Sequence, residues 1–561
     1  MIQSILQRIR HARGRLLGMP AFRYEEDQTF LRRFTRAEWP GYEAWLERHR
    51  RFTRPGLEAL WNQASRFTRK PLISVLMPVY NPDPAELWQA VESLLWQAYP
   101  HWELCIADDR STNREYLRVL GRLRDRRVKI RLNPAHAGIA GTSQAALDQA
   151  NGDYVALMDQ DDELYPDALF AFVQALQEQE IDYFYSDRDM ISPGGRRYMH
   201  FLKPGWSPEY LLSFNYGCHL EIYRKGLVEA VGGFRPGYEG SQDYDLLLRA
   251  TDQPCRVYHH PMVLYSWRQS RGSVATDLDA KGYAFEAGVR AVRDAVRRRR
   301  LPVREVIENP TLWRGHYRLL WDESRLSAQP VTLVALSNQD DEASRITALL
   351  RDCAASFPHA DFRVAPPSAA AILALLETLP AACAVFFCDG SVRTILAPAL
   401  ADMLGFLAIP GVEVVGGKCV DPDNRVRDTG LAIDDSGQIM AVYGGKAGDD
   451  PGYGAVGAVP RNVAAVFPAF WGTRVEGLRK RWTTEGQGGY YYSALRYCMD
   501  TGKGGGRIVC IPSMCLCLEP GRPDCAEDLR LFGKEWQAQA RHDSYYNPNL
   551  PETLEDFCRP L

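Results

Sequence analysis

ALMDQDDELYPDAL, residues 156–169, sets three carboxylates, Asp159, Asp161 and Asp162, directly after the apolar run Tyr154–Met158. Acidic groups this close repel one another unless a cation sits among them. Asp159-x-Asp161 suits a hard divalent ion, Mn²⁺ or Mg²⁺, which takes oxygen ligands and keeps positions open for phosphate oxygens. The competing reading is a solvated turn that caps the helix after Pro166. The surrounding text decides between them.

Upstream, Leu72–Val79 is a nearly continuous apolar run, the pattern of a buried parallel strand. Pro84–Ala98 follows with Leu87, Val91, Leu94 and Leu95 on one helical face. Trp102–Ala107 and Val128–Leu132 read as strands, and Thr142–Ala150 and Asp167–Gln179 as helices. This alternation predicts an α/β layer fold. Each main strand ends in polar residues: Asn81, then Asp108 and Asp109, then Asn133, then the Asp159–Asp162 group. In an open α/β sheet ligands bind outside the carboxyl ends of the strands. These side chains, far apart in sequence, are therefore expected to meet in one crevice.

At 561 residues the chain is too long for a single core. Hydrophobic residues at 46% and charged residues at 24% describe an ordinary globular protein, and a net charge of -3 argues against nucleic acid as a partner. The 13 cysteines show no framework spacing, which favours a reducing compartment. Cys515-x-Cys517, with Cys510 and Cys525 nearby, lacks zinc spacing and reads as buried thiols. No apolar run reaches the roughly 18–20 residues that span a bilayer. Residues 1–18 read as a helix with Ile2, Ile5, Leu6 and Ile9 on one face and Arg on the other. Either it lies on an anionic membrane surface or it docks on the protein. The expected location is cytoplasmic, with peripheral contact at the inner face of the membrane in the first case.

Four motifs in order, PVYN (78–81), ADDRS (107–111), NGDYVALMDQDDEL (151–164) and GGF…EGSQDYDLLLR (232–249), resemble glycosyltransferase family 2, which has the GT-A fold. The resemblance covers most of 71–275. It implies that Pro78, Val79, Tyr80 and Asn81 border a nucleotide-base pocket, with Asp108 bonding the base and Asp109 a second candidate there. Asp159 would face the ribose and metal, Asp161 would hold the metal that bridges the diphosphate, and Asp243 would be the catalytic base. Asp245, two residues further along the same helix, points elsewhere and reads as structural. Gln242 stands where many relatives have Glu. Trp206, Asn215 and His219 fall in the acceptor-side segment, and Trp267, Arg268 and Arg271 where relatives close a loop over the diphosphate. The histidine that many relatives supply near this point is replaced by Ser266 or Trp267, which leaves the third protein ligand open.

Residues 331–561 resemble the same family with its carboxylates eroded. PGVEVVGGKCVDPDNRVRDTGLAI (410–433) and AVPRNVAAVFPAFWG (458–472) match best. The metal motif would fall on CDGSV, leaving Asp389, and the base segment on GGYYYSALR (488–496). The expected domains are a helical segment over 1–70, a catalytic GT-A domain over 71–305 and a silent GT-A-like domain over 330–561. The last reads as a scaffold or dimerisation module, giving a homo-oligomer, or as an aromatic glycan-binding surface. The expected activity is inverting, metal-dependent sugar transfer from a UDP- or dTDP-sugar to a glycan or lipid-linked glycan acceptor in bacterial surface polysaccharide synthesis. A nucleotidyltransferase would need a Gly- and Lys/Arg-rich phosphate loop after the first strand, and NPDPAEL (81–87) is not one. A non-catalytic carbohydrate-binding protein would not need Asp159, Asp161 and Asp243 together.

Overall fold

A computed structural model describes residues 24–120, 125–270, 282–396, 399–434, 438–483, 488–519, 525–537, 543, 545–550 and 558–560. The expectations for residues 1–18 and for Arg271 lie outside them. The chain divides into two compact units, one of residues 1–203 and 215–295, the other of 204–214 and 296–561.

The first unit is built on a nine-stranded sheet. Its strands are β1 (Ile73–Val79), β2 (Trp102–Asp108), β3 (Val128–Leu132), β4 (Tyr154–Leu157), β5 (Glu163–Leu164), β6 (Tyr183–Ile191), β7 (Arg197–Phe201), β8 (Glu221–Arg224) and β9 (Val257–Arg268). The order is β3-β2-β1-β4-β8-β6-β9-β5, with β7 beside β6. β1, β2, β3 and β4 run parallel, whereas β8 runs antiparallel between β4 and β6. β1 is buried at all but one position because helices cover a sheet of this kind on both faces. The helix Pro84–Leu95 begins where the Asp83 carboxylate accepts the amides of Ala85 and Glu86 at 2.8 and 3.1 Å, and it buries Leu87, Val91, Leu94 and Leu95.

Three helices of the N-terminal segment, Tyr24–Arg32, Pro40–His49 and Arg54–Ala64, belong to this unit. Trp45 and Tyr42 are buried, Tyr42 donates to Asp189 at 2.9 Å, and the Trp61 indole donates to the Gln97 carbonyl at 3.0 Å. Segment 1–70 is thus not a freestanding appendage over its described part.

In the second unit β10 (Val303–Glu308) and β11 (Tyr317–Trp321) form a hairpin. Then come β12 (Val331–Leu336), β13 (Asp361–Ala365), β14 (Ala384–Asp389), β15 (Val392–Leu396), β16 (Val412–Val420) and β17 (Val426–Asp428). A small sheet of β18 (Leu431–Ile433), β19 (Ile439–Val442) and β23 (Cys558–Pro560) stands apart. The main sheet is completed by β20 (Arg461–Asn462), β21 (Phe470–Arg474) and β22 (Arg507–Leu518) in the order β13-β12-β14-β21-β16-β22-β15. β14 is parallel to β12 and antiparallel to β21, β21 is antiparallel to β16, and β16 is parallel to β22. β2-β1-β4-β8-β6-β9-β5 repeats here strand for strand, with no counterpart of β3 among the described residues. This is the second GT-A-like α/β fold that the motifs suggested.

The units part after Ala295, earlier than the 305–330 boundary read from the sequence. The reason is the hairpin: Trp321 is buried over Gly405 and meets Phe406 with ring centroids 5.2 Å apart, so residues past 300 belong to the second core.

Candidate active site

The carboxyl ends of β1, β2 and β4 carry the polar residues, and the connections between them are cross-tied. Pro78 and Val79 close β1, and Tyr80 beyond it is 50% exposed. Asn81 accepts the Thr112 amide at 2.8 Å and is held in the left-handed region at φ 42. Gln160, between the two motif aspartates, clamps the Tyr80 backbone: it accepts the amide at 2.9 Å and donates to the carbonyl at 3.3 Å. Asp108 is fully buried and accepts from the amide and hydroxyl of Ser111. Its carboxylate is committed to its own turn. Asp109 accepts the amides of Ala137 and Gly138 at 2.6 and 3.0 Å and pairs with His136 Nδ1 at 2.8 Å. That holds the start of the helix Gly138–Leu147 and brings the His136 ring to 5.2 Å from Tyr80.

The side chains that gather most tightly here are not the Asp159/Asp161 pair of the motif alone. Among the described residues, the group of side chains able to hold an ion is Asp159, Asp162 and His219, whose ligand atoms lie within 4.8 Å of one another. Strand register explains the histidine. Leu157 of β4 faces Glu221 of antiparallel β8, so continuing the register puts Asp159 opposite His219. Asp162 is buried and accepts from the Tyr265 hydroxyl at 2.5 Å and the Arg268 amide at 2.7 Å. Burial, then the charges of Asp161 and Asp159, raise its carboxyl far above the usual range. His219 is stacked on Tyr265 at 4.8 Å, and its Nδ1 is buried without a hydrogen-bond partner. Burial, aided by Lys203 and Arg188, holds its imidazole well below the ordinary value, so the ring is neutral. Repelling carboxylates beside a neutral imidazole with a bare nitrogen fit a divalent cation. Asp161 is half-buried on the same loop, and its carbonyl accepts Arg268 Nε at 2.6 Å.

Asp243 stands in the first turn of the helix Gln242–Ala250. Asn215 Nδ2 donates to it at 3.1 Å, and burial raises its pKa above the usual carboxylate value. Asn215, Cys218, His219 and Glu221 form one segment that links this carboxylate to the Asp159, Asp162 and His219 group. A Cβ on Gly217 would lie 2.5 Å from the Tyr183 hydroxyl, so the segment passes there only as glycine. Beneath it Lys203 Nζ donates to the carbonyls of Gly217 and His219 at 2.7 and 2.6 Å, and burial lowers its pKa to about 7. Glu221 is raised to about 7 by burial and then by Asp243.

Several other candidates have structural partners. Asp245 is buried between Arg235 and Arg249, at 2.6 and 2.8 Å. Arg268 is 7% exposed and pairs with Glu163 at 2.6 Å. Gln242 accepts the Gly240 amide at 2.9 Å. Trp267 is half-buried under the Arg188 guanidinium, 5.1 Å from its ring centre, and half-buried Trp206 belongs to the second unit. Sequence reasoning counted Asp162 among the carboxylates that call for a cation but gave it no ligand role, and it assigned nothing to Gln160, His136, Lys203 or Glu221. Asp162 stood in plain view beside the motif, but its inward direction follows from the turn into β5.

The second unit offers the contrast. Asp389 ends β14 as Asp159 follows β4, and it is buried against Ser391 and Tyr491. The Asp389 amide donates to the carbonyl of Ala469 at 2.9 Å, which puts alanine where the first unit has His219. Arg345 donates to the carbonyls of Gly390 and Val392 at 2.9 and 2.7 Å and fills the loop. The helix Tyr490–Lys503 starts on Gly489 and Tyr490 where the other unit has Asp243.

Fold and site together define an α/β enzyme whose acidic crevice at strand ends is suited to a cation and a charged leaving group. Residues 74–231 match the family model described as glycosyl transferase family 2. The putative colanic acid biosynthesis glycosyl transferase WcaA of Escherichia coli is 33% identical over 211 residues, 35% of this chain and 72% of that protein. The chain belongs to glycosyl transferase family 2. An uncharacterized Sinorhizobium fredii protein, y4gI, is 32% identical over 540 residues, 87% of this chain and 58% of its own length. The O-antigen biosynthesis protein RfbC of Myxococcus xanthus is 32% identical over 232 residues, 41% of this chain. The chain spans only 18% of RfbC. No described helix is long and apolar enough to cross a membrane.

Proposed function

We propose that this protein transfers a sugar with inversion from a UDP- or dTDP-sugar to a hydroxyl of a glycan or lipid-linked glycan, in the assembly of a bacterial surface polysaccharide. The observation that carries the reading is the meeting of Asp159, Asp162 and His219 within 4.8 Å, one short segment away from a carboxylate of raised pKa at a helix start. A bound Mn²⁺ or Mg²⁺ supplies Lewis-acid stabilisation to the departing diphosphate. Asp159 and Asp162 offer it hard oxygen ligands and His219 a neutral nitrogen. Asp243 accepts the proton of the acceptor hydroxyl, and Asn215 orients it. Tyr80, with His136 beside it, offers an aromatic face to the base. The names of RfbC and WcaA support the class of polymer.

Thermal shift of the full chain against a panel of UDP- and dTDP-sugars, with and without Mn²⁺, tests the reading. A ligand at 100 times its Kd stabilises the native state by about 2.7 kcal/mol. No manganese-dependent shift with any nucleotide sugar would defeat it.

The second unit is catalytically silent in this proposal, because one carboxylate, already engaged by Ser391 and Tyr491, stands for the whole set. Asp389→Asn in the full chain is expected to leave kcat/KM within about twofold while costing ~1–3 kcal/mol of stability through its buried partners. Steady-state kinetics and urea unfolding read the two effects. A large loss of kcat in a folded variant would give that unit a part in the chemistry.

A further inference from the structure

The family match begins at residue 74, yet the carboxylate loop is tied to residue 33. Glu163, the residue after Asp162, is buried among three guanidinium groups. Its Oε2 accepts Arg197 Nη2 at 2.8 Å and lies 3.2 Å from Arg33 Nε in an ion pair without hydrogen-bond geometry, and its Oε1 accepts Arg268 Nη2 at 2.6 Å. The loop is held by Arg268 in turn: its Nε donates to the Asp161 carbonyl at 2.6 Å and its backbone amide to the Asp162 carboxylate at 2.7 Å. Gln89 closes the circuit, accepting Arg268 Nη2 on its side chain at 2.8 Å and Arg33 Nη2 on its carbonyl at 3.5 Å. Arg33 pairs as well with Glu92 at 3.0 Å.

We infer that Arg33 is a positioning residue for the ion site: acting through Glu163 and Arg268, it fixes the geometry in which Asp161 and Asp162 are presented. A single buried carboxylate surrounded by three cations keeps its orientation only while each cation holds its place. Losing Arg33 frees Oε2 on one side, lets Glu163 rotate, and slackens the strut that Arg268 makes to the loop. The N-terminal helices are then part of the working site and not only of its support. This rests on the reading of Asp159, Asp162 and His219 as ligands.

The test is Mn²⁺ binding to the full chain, followed by the electron paramagnetic resonance of the free ion below the unfolding temperature of every variant. Arg33→Ala is expected to weaken binding by at least about 10-fold, the usual scale for groups that orient ligands. Arg33→Lys, which keeps the charge without the fork, should recover part of the loss. Arg50→Ala is the control: Arg50 lies in the same segment, is more deeply buried than Arg33 (4% against 19% exposed), and pairs with Asp167 at 2.9 Å, away from the loop. It should lower stability and leave Mn²⁺ affinity alone. If Arg33→Ala does not fold, Arg33→Gln carries the same expectation. Wild-type affinity in the folded Arg33 variant, or an equal loss in Arg50→Ala, overturns the inference. A wild-type chain that binds no Mn²⁺ overturns the ion site itself, and the inference with it.

Discussion

Asp243→Asn lowers kcat by about 10²–10⁴-fold and leaves the affinity for the nucleotide sugar unchanged. The amide is nearly isosteric and can still accept from Asn215 Nδ2, 3.1 Å from the carboxylate, so the helix start keeps its shape. It cannot take a proton. The expected loss is about 3–5 kcal/mol of transition-state stabilisation, at about 1.36 kcal/mol per decade. Donor affinity is spared because the ion ligands belong to β4 and to the segment before β8. The pH profile supplies a second reading. Asp243 works ionised, and its pKa is raised by burial, so wild-type kcat/KM falls as pH drops through a value above the ordinary carboxylate range near 4. Burial is the upward cause, and the hydrogen bonds from the Tyr244 amide, Cys218 and Asn215 offset it only in part. The acid limb should vanish in Asp243→Asn. A variant with full kcat would mean that some other group takes the proton.

The repeated polar strand ends made the crevice legible in the sequence, and β1, β2, β3 and β4 lie within a residue or two of where the apolar runs put them. Asp159 was legible because it follows a strand, whereas Asp243 came only through the resemblance of its segment. His219 was not legible as a ligand. It reaches Asp159 because β8 inserts antiparallel between β4 and β6, and strand order is a long-range property that periodicity does not carry. Asp108 shows the converse. Its place at a strand end was read correctly, but its partner Ser111 is set by a turn closed through a side chain. Arg33 and Glu163 are 130 positions apart in numbering and meet only once the N-terminal helices dock on the sheet. The second unit was legible in outline because its strands keep their apolar text. The plug made by Arg345 and Tyr491 was not: Arg345 belongs to no motif, and nothing in GGYYYSALR says that Tyr491 turns onto Asp389.

Asp162→Asn and His219→Ala should each weaken Mn²⁺ binding by more than about 100-fold, since removing a group that merely orients a ligand already costs about 10–100-fold. The two losses have different physical roots. Asp162 supplies charge, and its strongly raised pKa records how unfavourable that charge is when buried, and then beside Asp161 and Asp159, without a counter-ion. Its replacement by a neutral amide therefore stabilises the metal-free protein while it destroys the site, and urea unfolding with and without Mn²⁺ should show both signs. His219 supplies a bare nitrogen in a buried, neutral ring, so alanine removes a ligand without relieving repulsion and leaves a void against Tyr265. Asp161→Asn separates this arrangement from the simpler Asp159/Asp161 pair that the motif suggests. If the three-residue group holds the ion, Asp161→Asn weakens binding less than Asp162→Asn does; if Asp161 is the principal ligand, the order reverses. Wild-type Mn²⁺ affinity in both Asp162→Asn and His219→Ala would remove the cation from this corner of the sheet.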